Sequence, residues 1–211
     1  MALIDLTHPL TNGMPVFPGT PPLTLDTLST LGTHGYNEIQ LHMTTHTGTH
    51  IDCGKHMLPD SFDTCSSSPE SFYGAGWVID CRNTGDLIPM SLFRNLEEAS
   101  GKIDFVLLHT GWSKYWGDPE YFSKFPVLSP DAADYLLNLT LKGVGVDAPS
   151  FDPVESEDFP VHKKLLSHGL VLVENLTGLE QIPARGFIFS CLPLKIVEGD
   201  GSPVRAVGIV C

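Results

Sequence analysis

Three histidines and an aspartate, His46, His50, Asp52 and His56, fall within eleven positions of this 211-residue chain. Thr, Ile and Gly in the same run disfavour a helix, so we expect an extended backbone, on which every second side chain lies on one face. All four residues share one parity, and two glycines of that parity leave space beside them. The imidazoles and the carboxylate are therefore expected to converge.

These residue types suit a divalent transition metal. Neutral imidazole and carboxylate bind Zn²⁺, Mn²⁺ or Fe²⁺, and three protein ligands leave a coordination position open for water, as a catalytic site requires. The alternative is a strand whose histidines only form hydrogen bonds in the core or at the surface. The helical His-Glu-x-x-His motif of metalloproteases is excluded, since Thr, Gly and Thr follow His46.

A second candidate pair lies far downstream. His162 falls at the predicted start of a helix, and Glu174 ends a buried apolar strand. A buried carboxylate without a partner is energetically costly, so Glu174 is expected to have one. Spacing alone does not join this pair to the first cluster.

The elements that must position these residues are mostly strands in the first half and alternating strands and helices in the second. Predicted strands cover residues 37–45, 76–80, 105–109, 143–147, 170–173, 187–190 and 204–210. Predicted helices cover 91–99, 130–139 and 162–168, and the Pro- and Gly-rich stretch 9–22 predicts an ordered loop. We therefore expect a mixed α/β fold in a single domain over residues 1–211.

The acidic composition excludes two classes of partner. Lys and Arg total 12 against 25 Asp and Glu, a formal net charge of -13. Nucleic acids and anionic membranes both require a basic surface, so neither is expected. No targeting or membrane-spanning segment is recognisable. Five scattered cysteines without a Cys-x-x-Cys motif predict free thiols, so we expect a cytoplasmic protein.

The run 46–56 reads His-x-Gly-Thr-His-x-Asp-x-Gly-x-His, and further motif-like segments lie at 5–10, 13–19, 110–112, 146–150, 162–166, 174–176, 192–195 and 199–205. Together these segments resemble the cyclase-like metal-dependent hydrolases, a family that includes bacterial kynurenine formamidase and isatin hydrolase. The family signature is His-x-Gly-Thr-His-x-Asp-x-Pro-x-His. The resemblance implies a swivelling β/β/α-type domain with a mixed sheet, in a homodimer or homotetramer.

The resemblance also implies a site for two metal ions per chain, with Zn²⁺ as the first choice and Mn²⁺ as the alternative. His46, His50 and Asp52 would hold one ion, and Asp52 would bridge to the other. His162 and Glu174, twelve positions apart, would complete the ligands of the second ion.

The implied reaction is hydrolysis of a small amide by a metal-activated water. N-formylkynurenine, converted to kynurenine and formate in tryptophan catabolism, is the first-choice substrate of such an arylformamidase-like enzyme. His56 would act as the catalytic proton-transfer residue, while Phe17 and Trp112, and also Trp116, would offer aromatic walls to a planar substrate. The alternatives are isatin or another cyclic amide or lactone, and, from another class, a non-catalytic metal-binding protein.

Two positions depart from the family pattern beside the expected pocket. Gly54 replaces the motif proline, so the turn before His56 loses a fixed φ. Met57 stands where many family members carry an aromatic residue. Neither change removes a ligand, and both bear on the identity of the substrate.

Overall fold

The computed structural model describes residues 1–99 and 102–210, and its strands number thirteen over those ranges. They are β1 (Ala2–Asp5), β2 (Thr24–Ser29), β3 (Glu38–His42), β4 (His50–Asp52), β5 (Tyr73–Asp80), β6 (Leu87–Ile88), β7 (Phe105–His109), β8 (Val127–Leu128), β9 (Gly143–Val146), β10 (Val171–Glu174), β11 (Arg185–Ser190), β12 (Gly201–Pro203) and β13 (Val207–Val210).

The α-helices of the same ranges are α1 (Leu31–His34), α2 (Pro130–Leu137) and α3 (Pro160–Ser167). Short 3₁₀ helices cover Gly54–His56, Pro69–Phe72, Met90–Ala99, Trp112–Tyr115, Pro119–Phe122 and Leu179–Gln181. Within the described residues, no helix combines the length and the apolar character that crossing a membrane requires.

Nine strands form one mixed sheet in the order β1-β13-β11-β5-β7-β9-β10-β4-β12. The four middle strands β5, β7, β9 and β10 are parallel, and every other neighbouring pair in the sheet is antiparallel. The connections between the parallel strands run through Met90–Ala99, α2 and α3 in turn. Two small sheets, β2 with β3 and β6 with β8, lie outside it.

Strands β7, β9 and β10 are buried on both faces, which explains their continuous apolar sequences. Along β7, Val106 and Leu108 face a core that includes Leu136 of α2 and Leu165 of α3. Phe105 and Leu107, which point to the opposite side, face a second core built from β4, β10 and β11. Alternate side chains thus divide the protein into two apolar layers around one sheet.

Most predicted elements are present with small shifts at their ends. The helix predicted from residue 130 begins at Pro130, after Ser129, whose side chain accepts a hydrogen bond from the Ala132 N–H. The prediction for 91–99 is corrected to a 3₁₀ helix. The strand predicted over 37–45 is confined to β3, in an exposed two-stranded arm, and that predicted over 204–210 to β13.

The backbone of the histidine-rich run also differs from the expectation of a continuous extended chain. Only His50–Asp52 forms a strand, while His46 lies in a turn and His56 ends a 3₁₀ helix. Gly48 adopts φ of 66°, a conformation that bends the chain between the turn and the strand. The side chains nonetheless converge: His50 and Asp52 share one face of the strand, as parity predicts, while His46 and His56 reach the cluster through folding of the backbone.

The cysteines within the described residues are free, as predicted; they are Cys53, Cys65, Cys81 and Cys191, while Cys211 lies outside those residues. Cys53 follows Asp52 but packs into the apolar core on the other side of β4. Burial, with the nearby carboxylate of Asp52, raises the pKa of the Cys53 thiol to about 12. Cys53 is therefore a protonated core residue, in agreement with its opposite parity.

We predict that Gly54→Ala destabilises the protein by about 1–3 kcal/mol. A Cβ atom at Gly54 would overlap Ser61 Oγ and lie 2.8 Å from the Phe62 ring, which also accounts for the absence of the family's proline. Urea unfolding at a fixed metal concentration measures the change. Gly32→Ala is the matched control, since its Cβ would meet open space. Equal stability of the two variants would contradict the packing argument.

Candidate metal centre

Strand β4 carries two of the candidate ligands into the sheet between β10 and β12. His50 pairs with Glu174 at the end of β10, and Asp52 pairs with Leu172 on one side and Gly201 on the other. The residues His50, Asp52 and Glu174 are 1–6% exposed. The antiparallel register thereby sets Glu174 beside the first cluster.

Helix α3 completes this group, which sequence spacing could not do. His162 Nε2 lies 3.0 Å from Glu174 Oε1 and 3.7 Å from Asp52 Oδ2. On the other side, His50 Nε2 lies 3.4 Å from Asp52 Oδ1 and 3.5 Å from Glu174 Oε2. The downstream pair and the first cluster are therefore one site.

His46, in the turn before β4, and His56, in the 3₁₀ helix after it, also lie near Asp52. His46 Nδ1 lies 2.7 Å from Asp52 Oδ1, and its ring centroid is 3.9 Å from that of His56 but 5.1 Å from that of His50. Candidate ligand atoms lie within 4.8 Å of one another in two groups, His46 with Asp52 and His56, and His50 with Asp52 and Glu174. Asp52 belongs to both groups, whereas His56, expected outside the ligand set, is close enough to join one.

The Asp52 carboxylate supplies a test of whether these residues fit a metal. Its Oδ2 atom is buried and has no hydrogen-bond partner among the described residues. Such an atom is costly unless a cation compensates it. Imidazole nitrogens and carboxylate oxygens, the donors gathered around it, are those that divalent metals bind. The site therefore fits a divalent metal.

A cavity of about 550 Å³ opens above the cluster, and His46, His50, His56, His162 and Glu174 line its floor. Its walls include the aromatic side chains of Phe17, Trp116, Phe122 and Phe159. A larger groove, of about 950 Å³, lies across β5 and β11 and is lined by none of the predicted ligands within the described residues.

Two of the three aromatic residues predicted to form walls, Phe17 and Trp116, line the cavity. Phe17 lines the cavity and contacts Phe122 edge to face at 6.0 Å. Trp112 is not among the described lining residues; its Nε1–H donates to the Tyr121 carbonyl at 2.8 Å. The ring of Trp116 is stacked on that of His8, with the centroids 4.0 Å apart.

Known proteins resemble both the sequence and the fold. The sequence profile of the family described as "Putative cyclase" matches residues 4–153. The chain belongs to this cyclase family. The kynurenine formamidase of Salinibacter ruber is 32% identical over 98% of this chain and 97% of its own length. The kynurenine formamidase of Erythrobacter litoralis is 30% identical over 96% and 91%.

Solved structures of similar fold include isatin hydrolases. One, bound to the product analogue thioisatinate, superimposes with a TM-score of 0.88 at 26% identity, over 99% of this chain and 92% of the other. A potential metal-dependent hydrolase with cyclase activity gives a TM-score of 0.81 at 29% identity, over 98% and 96%. The predictions of the family, of the mixed α/β fold and of a hydrolytic enzyme are confirmed.

Charge within the site of this cyclase-family enzyme is arranged around its carboxylates. Burial lowers the pKa of His46, but Asp52 and Asp200 outweigh burial and raise it to about 10. Burial likewise lowers the pKa of His162, and Asp152 and Glu174 outweigh it and raise it to about 10. Without metal, both imidazoles are thus protonated at neutral pH, and a metal ion that binds their nitrogens must displace protons.

His56 has the opposite tendency. Burial lowers the pKa of His56 below its ordinary value, and the charges of His46 and His162 add to that effect. Its ring is half-buried at the cavity floor, with Nδ1 3.6 Å from Asp200 Oδ2. A neutral imidazole there is able to accept a proton from a group in the cavity.

Sequence reasoning missed two carboxylates that orient the histidines. Asp152 Oδ2 accepts hydrogen bonds from the His162 backbone N–H at 2.9 Å and from Nδ1–H at 2.7 Å, which leaves Nε2 directed toward the site. Asp200 accepts from His46 Nε2–H at 3.0 Å and from the Thr45 hydroxyl at 2.8 Å. Asp200 lies in the segment 199–205 that resembles the family, but no role was assigned to it. Asp152 precedes helix α3, and no other feature of the sequence marks it.

Asn175, which also had no predicted role, helps to orient His50 through the Gly48 carbonyl. Its Nδ2–H donates to the Gly48 carbonyl at 3.0 Å, and the same carbonyl accepts from His50 Nδ1–H at 2.8 Å. The Tyr121 hydroxyl donates to Asn175 Oδ1 at 2.7 Å. These bonds fix the His50 tautomer with Nε2 free to face the carboxylates.

We predict that metal binding at pH 7 releases about two protons per site, because the pKa values of His46 and His162 are raised to about 10 in the metal-free protein. The release should decline as pH rises through 10. Calorimetric titration with Zn²⁺ in buffers of different ionisation enthalpy measures it. His168→Gln, which alters an exposed histidine, should leave it unchanged. Binding at pH 7 without proton release would contradict the assigned protonation.

Proposed function

We propose that this enzyme hydrolyses the C–N bond of a small aromatic amide with the help of divalent metal, and that N-formylkynurenine is its first candidate substrate. The convergence of His46, His50, His162 and Glu174 on the buried Asp52 carboxylate, beneath an aromatic cavity, carries the proposal. The names of the sequence relatives supply the candidate substrate.

In this proposal the same five side chains hold two ions, Zn²⁺ by first choice and Mn²⁺ as the alternative. Asp52 is the shared ligand, since both groups of candidate ligand atoms include it. Divalent metal at this position supplies Lewis-acid chemistry: it polarises a substrate carbonyl and acidifies a water. Asp152 and Asp200 keep the imidazoles of His162 and His46 in place for binding.

His56 moves a proton in the proposed reaction. Its neutral ring lies at the cavity floor, and Nδ1 faces the Asp200 carboxylate, which leaves Nε2 as the atom available to a substrate. That nitrogen accepts a proton from the attacking water and returns it to the leaving nitrogen of the amide.

The aromatic walls hold the substrate ring and exclude water. Phe17 and Trp116 line the cavity, and a planar aryl group packs against such aromatic faces. Trp112, predicted to contact substrate, acts in this proposal as a support. It holds Tyr121 by a hydrogen bond, and the Tyr121 ring in turn contacts Trp116 at 5.1 Å.

Isatin is the second candidate substrate. The likeness to an isatin hydrolase bound to thioisatinate favours it, as does the planar aromatic character of the walls. Ring opening of isatin breaks the same type of bond, an amide C–N bond. The single domain over 1–211, the homodimer or homotetramer and the cytoplasmic location stay predictions.

The test of the proposed function combines elemental analysis with a hydrolysis assay on N-formylkynurenine, before and after chelation. We expect near two metal ions per chain, turnover that chelator abolishes, and recovery with Zn²⁺ or Mn²⁺. Metal without turnover on this substrate would transfer the proposal to isatin. Metal-loaded protein that hydrolyses no amide or lactone would favour the non-catalytic alternative and contradict the proposal.

We predict that His56→Asn lowers kcat by about 10²- to 10⁴-fold while the metal content stays unchanged, because the residue transfers a proton and does not hold metal. His162→Asn is the contrasting variant and should lose metal along with turnover. Elemental analysis and steady-state kinetics on both variants provide the measurements. Loss of metal in His56→Asn would make His56 a ligand, as its distance from His46 and Asp52 allows.

A further inference from the structure

We infer that His8 is a positioning residue: it holds the Trp116 ring at a fixed place relative to the metal ligands, and the cavity thereby prefers a planar substrate ring to a saturated one. The inference rests on the proposed function and adds a residue to it. His8 is not among the described residues that line the cavity, so it acts through Trp116, which does line it. The ring contact between the two residues and the backbone hydrogen bond of His8 carry the inference.

The contact between His8 and Trp116 is a parallel stack. The ring centroids are 4.0 Å apart and the ring planes differ by 7°. The Tyr121 ring meets Trp116 at 81°, with the centroids 5.1 Å apart. His8 thus covers one face of the indole and leaves the opposite face and the free edges to the cavity. Two aromatic neighbours, far apart in sequence, therefore fix the plane of this wall.

The backbone of His8 is anchored to the segments that carry the metal ligands. Its N–H donates to Thr49 Oγ1 at 2.9 Å, and the Thr49 hydroxyl donates to the Asn175 carbonyl at 2.6 Å. Thr49 directly precedes His50, and Asn175 directly follows Glu174. Two hydrogen bonds thus link the residue that stacks on the indole to the backbone beside two proposed ligands. The metal centre and the aromatic wall are therefore built on one framework.

The His8 ring is uncharged where it contacts the indole. The residue is 7% exposed, and burial lowers its pKa to about 4, so the imidazole is neutral at neutral pH. Its Nε2 atom is buried and has no hydrogen-bond partner among the described residues. What the side chain offers to Trp116 is therefore a flat, neutral aromatic face.

A fixed wall matters because the substrate must contact two places at once. In the proposed reaction its amide lies beside the metal ligands while its ring packs on Trp116, and a small misplacement of the reacting groups lowers the rate strongly. A planar aryl ring gains from a well-placed flat wall, whereas a saturated ring has no flat face to stack on it. Loss of the His8 stack should therefore weaken the binding of planar rings most.

A matched pair of variants on metal-loaded enzyme tests the inference. His8→Leu fills the space without a flat ring, while His8→Phe keeps a flat ring and removes the buried Nε2 atom. Benzamide and cyclohexanecarboxamide carry the same amide on a planar and on a saturated ring, and serve as competitive inhibitors of turnover of N-formylkynurenine or isatin. We expect His8→Leu to raise the inhibition constant of benzamide about twofold to tenfold, the value of one aromatic pair, and that of cyclohexanecarboxamide less than about twofold. His8→Phe should leave both constants close to their wild-type values.

The same ratio of the two inhibition constants in His8→Leu as in the wild-type enzyme would overturn the inference while leaving the hydrolase function intact. A lower free energy of unfolding in urea with that unchanged ratio would show that His8 serves stability alone. An equal loss in His8→Phe would overturn the inference too, because a flat ring would not be what His8 supplies. Wild-type enzyme that is loaded with metal and hydrolyses no amide or lactone would instead contradict the proposed function and, with it, the inference. The two failures are therefore distinguishable.

A double-mutant cycle tests whether His8 acts through Trp116. Trp116→Leu, at a half-buried position, should itself weaken benzamide at least as much as His8→Leu does, and an unchanged constant would overturn the inference without any change at His8. In the Trp116→Leu background, His8→Leu should change both inhibition constants by less than about twofold, because the partner of its stack is gone. A further loss of the full size in that background would contradict an effect exerted through Trp116.

Discussion

The buried carboxylate of Asp52 is the constraint around which this protein is organised. A charge in the interior is stable only if other groups compensate it, and Asp52 is 1% exposed. His46 and His50 overcome the effect of burial, so the pKa of Asp52 lies well below its ordinary value. Its Oδ2 atom still has no hydrogen-bond partner among the described residues, and that atom points to a cation as part of the working protein.

The order of the strands in the sheet positions this carboxylate and its neighbours. β4 is inserted between β10 and β12, so that Asp52 and His50 are held by backbone hydrogen bonds on both sides. Gly201 allows the close approach, since a Cβ there would lie 2.6 Å from the His46 ring. Glu174 stands at the carboxyl end of a parallel strand, where α/β sheets commonly place their ligands. Helix α3, which follows the neighbouring parallel strand, returns His162 to the same point.

The sequence revealed the ligand types more reliably than their geometry. His46, His50, Asp52 and His56 were identifiable because four such residues at close spacing are unusual, yet the continuous strand expected to align them is a turn, a three-residue strand and a 3₁₀ helix. His162 and Glu174 join the first cluster because of the order of strands in the sheet. That order cannot be predicted from the local sequence around either residue.

The supporting residues were harder to foresee. Asp152 and Asp200 act through contacts that span 10 and 154 positions, and acidic residues are too frequent in this chain to stand out. Trp112 and Trp116 are four positions apart and indistinguishable by type. In the structure Trp116, directly after the 3₁₀ helix Trp112–Tyr115, lines the cavity, and Trp112, at the start of that helix, is not among the described lining residues.

Anomalous diffraction from crystals of the purified protein, recorded on both sides of the Zn or Mn absorption edge, tests the central claim most directly. The account predicts an anomalous peak about 2.0–2.2 Å from an Asp52 oxygen, with imidazole nitrogens of the cluster at similar distances. Crystals grown with Zn²⁺ or Mn²⁺ that show ions only at the surface, and none beside Asp52, would contradict it.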